Sequence, residues 1–118
     1  MGIKYIRVEK TVAVMTPTGY NWNMHFAELQ AFDTDGSNVA LKKPSRASAE
    51  LHRGFKEYAN DGNTSGYWAE NSVWHSAADS RGSWWEVDLG SEMTLNSVKI
   101  YNRIDPITIN NITYTGYY

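Results

Sequence analysis

The chain has no cysteine among its 118 residues. Disulfides, thiolate nucleophiles and cysteine-ligated zinc are excluded together. The compartment stays open, because an extracellular domain can draw its stability from a metal or a good core instead. No apolar run approaches the roughly 18 residues that a membrane-spanning helix needs. The opening residues, Met1-Gly2-Ile3-Lys4, lead into no apolar stretch of the signal-peptide kind. Charge of one sign is not in excess either: 11 Lys and Arg face 13 Asp and Glu, a net charge of −2. The pI is near 5.9. The cations are scattered, with only Lys42-Lys43 adjacent, so the footprint of a nucleic-acid binder is missing. No Gly-rich phosphate loop, Ser-His-Asp order or His cluster is present. Nothing here reads as an enzyme.

Aromatic residues are plentiful. They make up 14% of the chain and include five Trp. Trp is large and carries an N–H that needs a partner, so part of this excess points to a surface site and part to a small β core. The length suits one domain, residues 1–118, with a single core. Residues 3–10 mix β-branched, aromatic and charged residues as a half-buried strand does. Val12 to Met15 continues or pairs with it, and Pro17, Gly19 and Asn21 mark a loop. Phe26 to Asp33 reads as a strand closed by Asp33-Thr34-Asp35-Gly36, and Ser37 to Leu41 as a short one. Ala47 to Tyr58 has the best helical composition, limited by Gly54 to a turn or two. From Ser83 to Leu89 the chain alternates, with Trp85, Val87 and Leu89 on one face and Trp84, Glu86 and Asp88 on the other. Leu95 to Tyr101 turns Val98 and Ile100 inward. Ile107 to Tyr118 reads as one more strand or a hairpin. Many short strands between turns predict an all-β antiparallel sandwich or jelly roll.

Four segments carry a resemblance. Asn38-Val-Ala-Leu-Lys-Lys-Pro44, Asn60-Asp-Gly-Asn63, Trp84-Trp-Glu-Val-Asp-Leu-Gly90 and Val98-Lys-Ile-Tyr-Asn-Arg-Ile-Asp105 are similar to the F-type (fucose-binding) lectins. More broadly they resemble the discoidin-like, galactose-binding jelly rolls. The similarity follows the family's order from about residue 37 to 105. Tyr5-Ile6-Arg7-Val8 and Ala27-Glu28-Leu29-Gln30-Ala31-Phe32 look like the strands that close such a domain, yet here they lead. The chain therefore resembles a permuted, shortened version of the family, natural or engineered, or a piece cut out of phase from a tandem array. Jelly-roll termini usually lie close together, so moving a strand pair to the front is topologically cheap. Losing a hairpin leaves an edge to be covered, by a compacted sheet or by a neighbouring chain.

The resemblance implies two sites. Asp61 and Asn63 stand on a Gly-bearing turn where hard oxygen ligands can converge, as calcium requires. In the family, calcium is held by positions matching Asp61, Asn63, Ser72 and Glu28, with a main-chain carbonyl near Tyr58 as a further candidate. Taken alone, Asp-Gly-Asn also fits a plain turn. The sugar site of the family corresponds to His75 and Arg103 as hydrogen-bond donors, with Asp105 orienting Arg103. Trp68, or Trp74, would pack on the sugar's apolar face. The family's second basic residue falls on Asn110. By themselves, His75 also fits a structural histidine and Arg103–Asp105 a strand-end ion pair. His52 and Arg81 repeat the spacing without the following Asp. Glu86 and Asp88 lack a facing partner of the kind glycoside hydrolysis needs.

The reading expected is a non-catalytic module that binds fucosylated or galactose-type glycans outside the cell, with a structural calcium. Weak single-site affinity would call for tandem copies or an oligomer. The alternatives are a discoidin-like module that binds a protein or lipid headgroup through Tyr20 to Met24, with Trp22 at its centre, or a shortened scaffold whose sugar site is vestigial.

Overall fold

The computed structural model describes residues 2–12, 14–16, 19–21, 23–76, 82–109 and 111–114. Eleven strands are defined among them: β1 (Ile3–Glu9), β2 (Val14–Thr16), β3 (Gly19–Asn21), β4 (His25–Phe26), β5 (Glu28–Asp33), β6 (Ser45–Ala47), β7 (Trp74–His75), β8 (Trp84–Met93), β9 (Leu95–Tyr101), β10 (Ile107–Ile109) and β11 (Ile112–Tyr114). Every pairing is antiparallel, and no α-helix occurs among the described residues. The fold is an all-β sandwich of the galactose-binding type, as expected.

β8 is its organising strand. It lies between β1 and β6, with Tyr5 opposite Asp88, Val8 opposite Trp85 and Ser45 opposite Val87. The two-residue period puts Trp85, Val87 and Leu89 on the inner face, each at most 1% exposed. Across the core stand Leu29 and Ala31 of β5, Phe26 of β4 and Trp74 of β7. Phe26 meets the edges of both Trp74 and Trp85 at 5.4 Å between ring centroids. Fully burying an apolar side chain of this size contributes roughly 1.5–3 kcal/mol, so this aromatic cluster is a major source of stability. Each buried indole N–H finds a carbonyl: Trp74 donates to Ala49 at 3.1 Å and Trp85 to Lys56 at 2.9 Å.

The outer face of β8 carries an ion-paired carboxylate. Glu86 accepts from Arg7 and Arg46, at 2.8 Å each, and these guanidiniums hold its carboxyl below the usual carboxylate range. Arg7 also lies over Trp84, 4.1 Å from the ring.

Four expectations need correction. Val98 and Ile100 stand opposite the core residues Ala31 and Leu29, on the inward face as expected, yet they remain 45% and 47% exposed rather than buried. β9 pairs with β5 along one edge, and β5 is its one ladder partner among the described residues. Ser37 to Leu41 forms no strand; it gives a single bridge, Asn38 to Phe32, where the Asn38 amide oxygen accepts from the Ala31 and Ala40 N–H groups. The helical composition of residues 47–58 yields one 3-10 turn, Lys56–Asn60. Before that turn, Gly54 runs so close to His75 that a Cβ would sit 2.5 Å from the histidine's own Cβ, which a continuous helix could not allow. The closing segment is a hairpin, β10 on β11, and Gly19 to Asn21 is a strand rather than a loop.

Candidate functional site

The turn at residues 60–66 is fixed from below by Asn60. Its buried amide donates to the carbonyls of Ala40 and Lys43 at 2.8 and 2.9 Å. Above it, Asp61 accepts from the Asn63 N–H at 2.9 Å and Asn63 accepts from the Ser65 N–H at 3.0 Å, two consecutive Asx turns. Gly62 takes the left-handed conformation between them, at φ 94°. Its N–H donates to Glu28 Oε2 at 2.7 Å. The leading strand β5 thus delivers its carboxylate to this turn, where the family resemblance puts it.

Glu28 is fully buried, and its other oxygen, Oε1, has no hydrogen-bond partner in the structure. Burial pushes its carboxyl up to about 7; the Gly62 N–H opposes the shift and the Asp61 charge adds to it. An unpartnered buried carboxylate oxygen beside a second carboxylate is the donor set a hard cation satisfies. Among the described residues no three His, Asp or Glu side chains are placed to hold a metal ion, so a cation here would also draw on amide and main-chain oxygens. Ser72, also buried, donates its hydroxyl to the carbonyls of Ser65 and Tyr67. Tyr58 lies in the 3-10 turn that leads into Asn60.

The second cluster is built by β4 and β7. Directly opposite residues of an antiparallel pair project on the same face. Phe26 opposite Trp74 enters the core, so His25 opposite His75 projects away from it. The two imidazoles meet edge to face at 4.1 Å, and Trp68 stands 5.7 Å from His75. Arg103, from the segment after β9, lies against Trp68 at 5.1 Å. Its Nε donates to Asp105 at 2.8 Å, and the same carboxylate oxygen accepts the Trp68 main-chain N–H at 2.8 Å. Asp105 therefore positions the guanidinium and the indole together. The Ile104 N–H bonds to the Gly66 carbonyl at 2.9 Å, which ties this strand end to the turn described above.

The proton positions follow from the partners. His75 Nδ1 faces the Ser76 carbonyl, an acceptor only, so Nδ1 carries the proton and Nε2 presents a lone pair. His25 Nδ1 lies 3.4 Å from Arg103 Nη1, which can only donate, so His25 is protonated on Nε2. Burial lowers the pKa of both rings; that of His25 is pushed down to about 2, with His75 and Arg103 adding to the effect. Both are neutral at physiological pH. The cluster offers a guanidinium donor and a neutral imidazole acceptor beside an indole. The expected donor role of His75 is thus replaced by an acceptor role at Nε2, because its Nδ1–H is engaged by the Ser76 carbonyl.

His75, Arg103, Asp105 and Trp68 come together as expected. Trp74 does not join them: it is fully buried and serves the core. Asn110, Trp22 and Arg81 lie outside the described residues. Sequence reasoning missed His25, whose signal was its place opposite His75 in a strand pair only two residues long. It also set aside His52, whose ring stands 5.4 Å from that of His75.

The fold is an all-β antiparallel sandwich, and two comparisons with known proteins accord with the resemblance read from the sequence. Residues 58–115 match the F5/F8 type C family described as the NedA-like, galactose-binding domain. The chain is also similar to Fucolectin-3 of Anguilla japonica, 38% identical over 73 residues that cover 58% of this chain and 39% of that protein. The resemblance read from the sequence is thereby borne out: part of the chain is similar to a galactose-binding domain family and to a fucolectin. The chain spans well under half the length of that relative. No solved structure matches it.

Proposed function

We propose that this domain is a non-catalytic lectin module that holds fucose, or a related galactose-type monosaccharide, at the end of an extracellular glycan. The observation that carries the reading is the single Asp105 carboxylate that fixes Arg103 and Trp68 together against His75. Adjacent sugar hydroxyls would accept from the Arg103 fork and donate to His75 Nε2, while the indole edge packs on the apolar side of the ring. Because the groups are held before ligand arrives, little ordering cost remains on binding. A glycan-binding role accords with the likeness to a fucolectin, and the paired state of Glu86 favours binding over hydrolysis. Among the described residues no helix is long and apolar enough to cross a membrane.

We also propose calcium at the turn, held by Glu28 and Asp61 with oxygens of Asn63 and the adjoining main chain. The ion would neutralise two close carboxylates and lock the segment that bears Gly66, and through it the Arg103 strand end. Titration with fucose and with galactose, followed by tryptophan fluorescence, tests the sugar reading. Saturable quenching by at least one of them is expected; no response to either, from a folded protein, would overturn it.

A further inference from the structure

Beside the His75–Arg103 cluster lies a cleft of about 220 Å³. It is smaller than the roughly 300–1,000 Å³ typical of pockets for whole drug-sized ligands, and suits one further sugar unit and its substituent. Trp68 and His52 line it, and their rings stand 5.7 and 5.4 Å from that of His75, so the cleft borders the cluster. Arg53, Tyr58 and Asn71 complete its polar lining.

Its backbone is unusual. Five non-glycine residues adopt left-handed conformations among the described residues, and three of them line this one cleft: His52 at φ 54°, Arg53 at φ 64° and Asn71 at φ 52°. Asn accepts that region readily, whereas Arg does so rarely. Such strain persists where surrounding contacts over-determine it, and it concentrates at ligand clamps. Here the surrounding contacts are clear. The Leu51 N–H donates to the His75 carbonyl at 3.0 Å, the His75 N–H to the Gly54 carbonyl at 3.2 Å, and the Gly54 N–H to the Leu51 carbonyl at 2.9 Å. The strained pair is clamped onto the backbone of the very histidine that lines the first pocket.

Charge adds the second observation. Arg53 carries the sole formal charge of the cleft lining and makes no ion pair among the described residues. The nearest acids in sequence, Glu50 and Glu57, are engaged by Lys56 at 3.8 and 3.1 Å. An exposed planar guanidinium with no carboxylate partner among the described residues matches a sulfate ester or a sugar carboxylate, which it can grip in bidentate fashion.

From this geometry we infer a second subsite, for the glycan unit next to the terminal monosaccharide, that selects an anionic substituent through Arg53. The inference rests on the sugar reading of the first pocket. Its test is calorimetry with three matched ligands: a fucosyl-galactose disaccharide, the same disaccharide carrying a sulfate ester on galactose, and one in which galacturonic acid replaces galactose. The unaltered protein should bind at least one anionic ligand about tenfold more tightly than the neutral one at low salt, and the gap should shrink as salt screens it. Which anionic ligand gains identifies the substituent. Arg53→Asn keeps a residue that tolerates the left-handed backbone and should bring the ratio to about one, with melting temperature as the check on folding. Equal binding of all three by the unaltered protein, or a preference that survives in the folded Arg53→Asn variant, would overturn the subsite. Failure of every ligand to bind would instead overturn the reading of the first pocket.

Discussion

The turn around Glu28 and the pocket around Arg103 sit about one loop apart, yet they are finished to different degrees. In the pocket, the charged group is matched: Asp105 takes Arg103 and, on the same oxygen, the Trp68 N–H. At the turn, Glu28 satisfies one oxygen with Gly62 and leaves the other buried without a partner, next to Asp61. The Arg103 charge is already paired and fixed in place. An unpaired buried carboxylate raises the free energy of the folded chain until a proton or cation arrives. The difference teaches that the pocket is preorganised and the turn is conditional.

The largest effect expected concerns the finished site. Hydrogen bonds to a charged group contribute about 1.5–3 kcal/mol each, so Arg103→Ala should weaken fucose binding by about 100-fold in calorimetry, with the fold retained. Next comes the unfinished site. Calcium at 100 times its dissociation constant should stabilise the protein by about 2.7 kcal/mol, read as a rise in melting temperature that chelator reverses. Glu28→Gln should abolish that rise, while the metal-free variant melts about 4 °C above the metal-free parent because the buried charge is gone. If Glu28→Gln responds to calcium as the parent does, the contrast between the two regions collapses.

The pH dependence sharpens the same contrast. The carboxyl of Glu28 is raised from 4.5 to about 7 in the folded chain, so the folded state binds the extra proton between those values. Metal-free stability from this group is present at low pH and declines as pH rises from about 4.5 through about 7. Calcium uptake should weaken as pH falls below about 7, with proton release on binding above the acid limit. His25 and His75 act in the other direction. Their folded values lie below 6.5, so the unfolded chain takes protons first and stability falls as pH drops below about 6.5. The smallest effect belongs to the positioning carboxylate: Asp105→Asn keeps the shape but loosens Arg103, and should cost about tenfold in fucose affinity, near 1.4 kcal/mol.

Much of this was legible in the sequence where one residue pattern served one neighbour. The alternation of residues 84–89 named the buried Trp85, Val87 and Leu89 because β8 has a partner on each edge and a core beneath it. The same pattern misled for Val98 and Ile100, since alternation reports two faces and not what covers them. The turn at Asp61 and its link to Glu28 followed from the family resemblance, although β5 comes early in the chain. His25 and the His52–Arg53 clamp were not legible. The first acquires its place through a two-residue pairing with β7, and the second through a close approach of Gly54 to His75; neither leaves a period or a motif.

The central claim is that Arg103, Trp68 and His75 form one preorganised sugar pocket. Amide and side-chain nitrogen NMR during a fucose titration tests it most directly. The account predicts saturable shifts of the Arg103 Nε–H and the Trp68 main-chain N–H with a common dissociation constant, and no comparable movement at the Glu28 turn. Shifts confined to other regions, or none at saturating sugar from a folded sample, would contradict it.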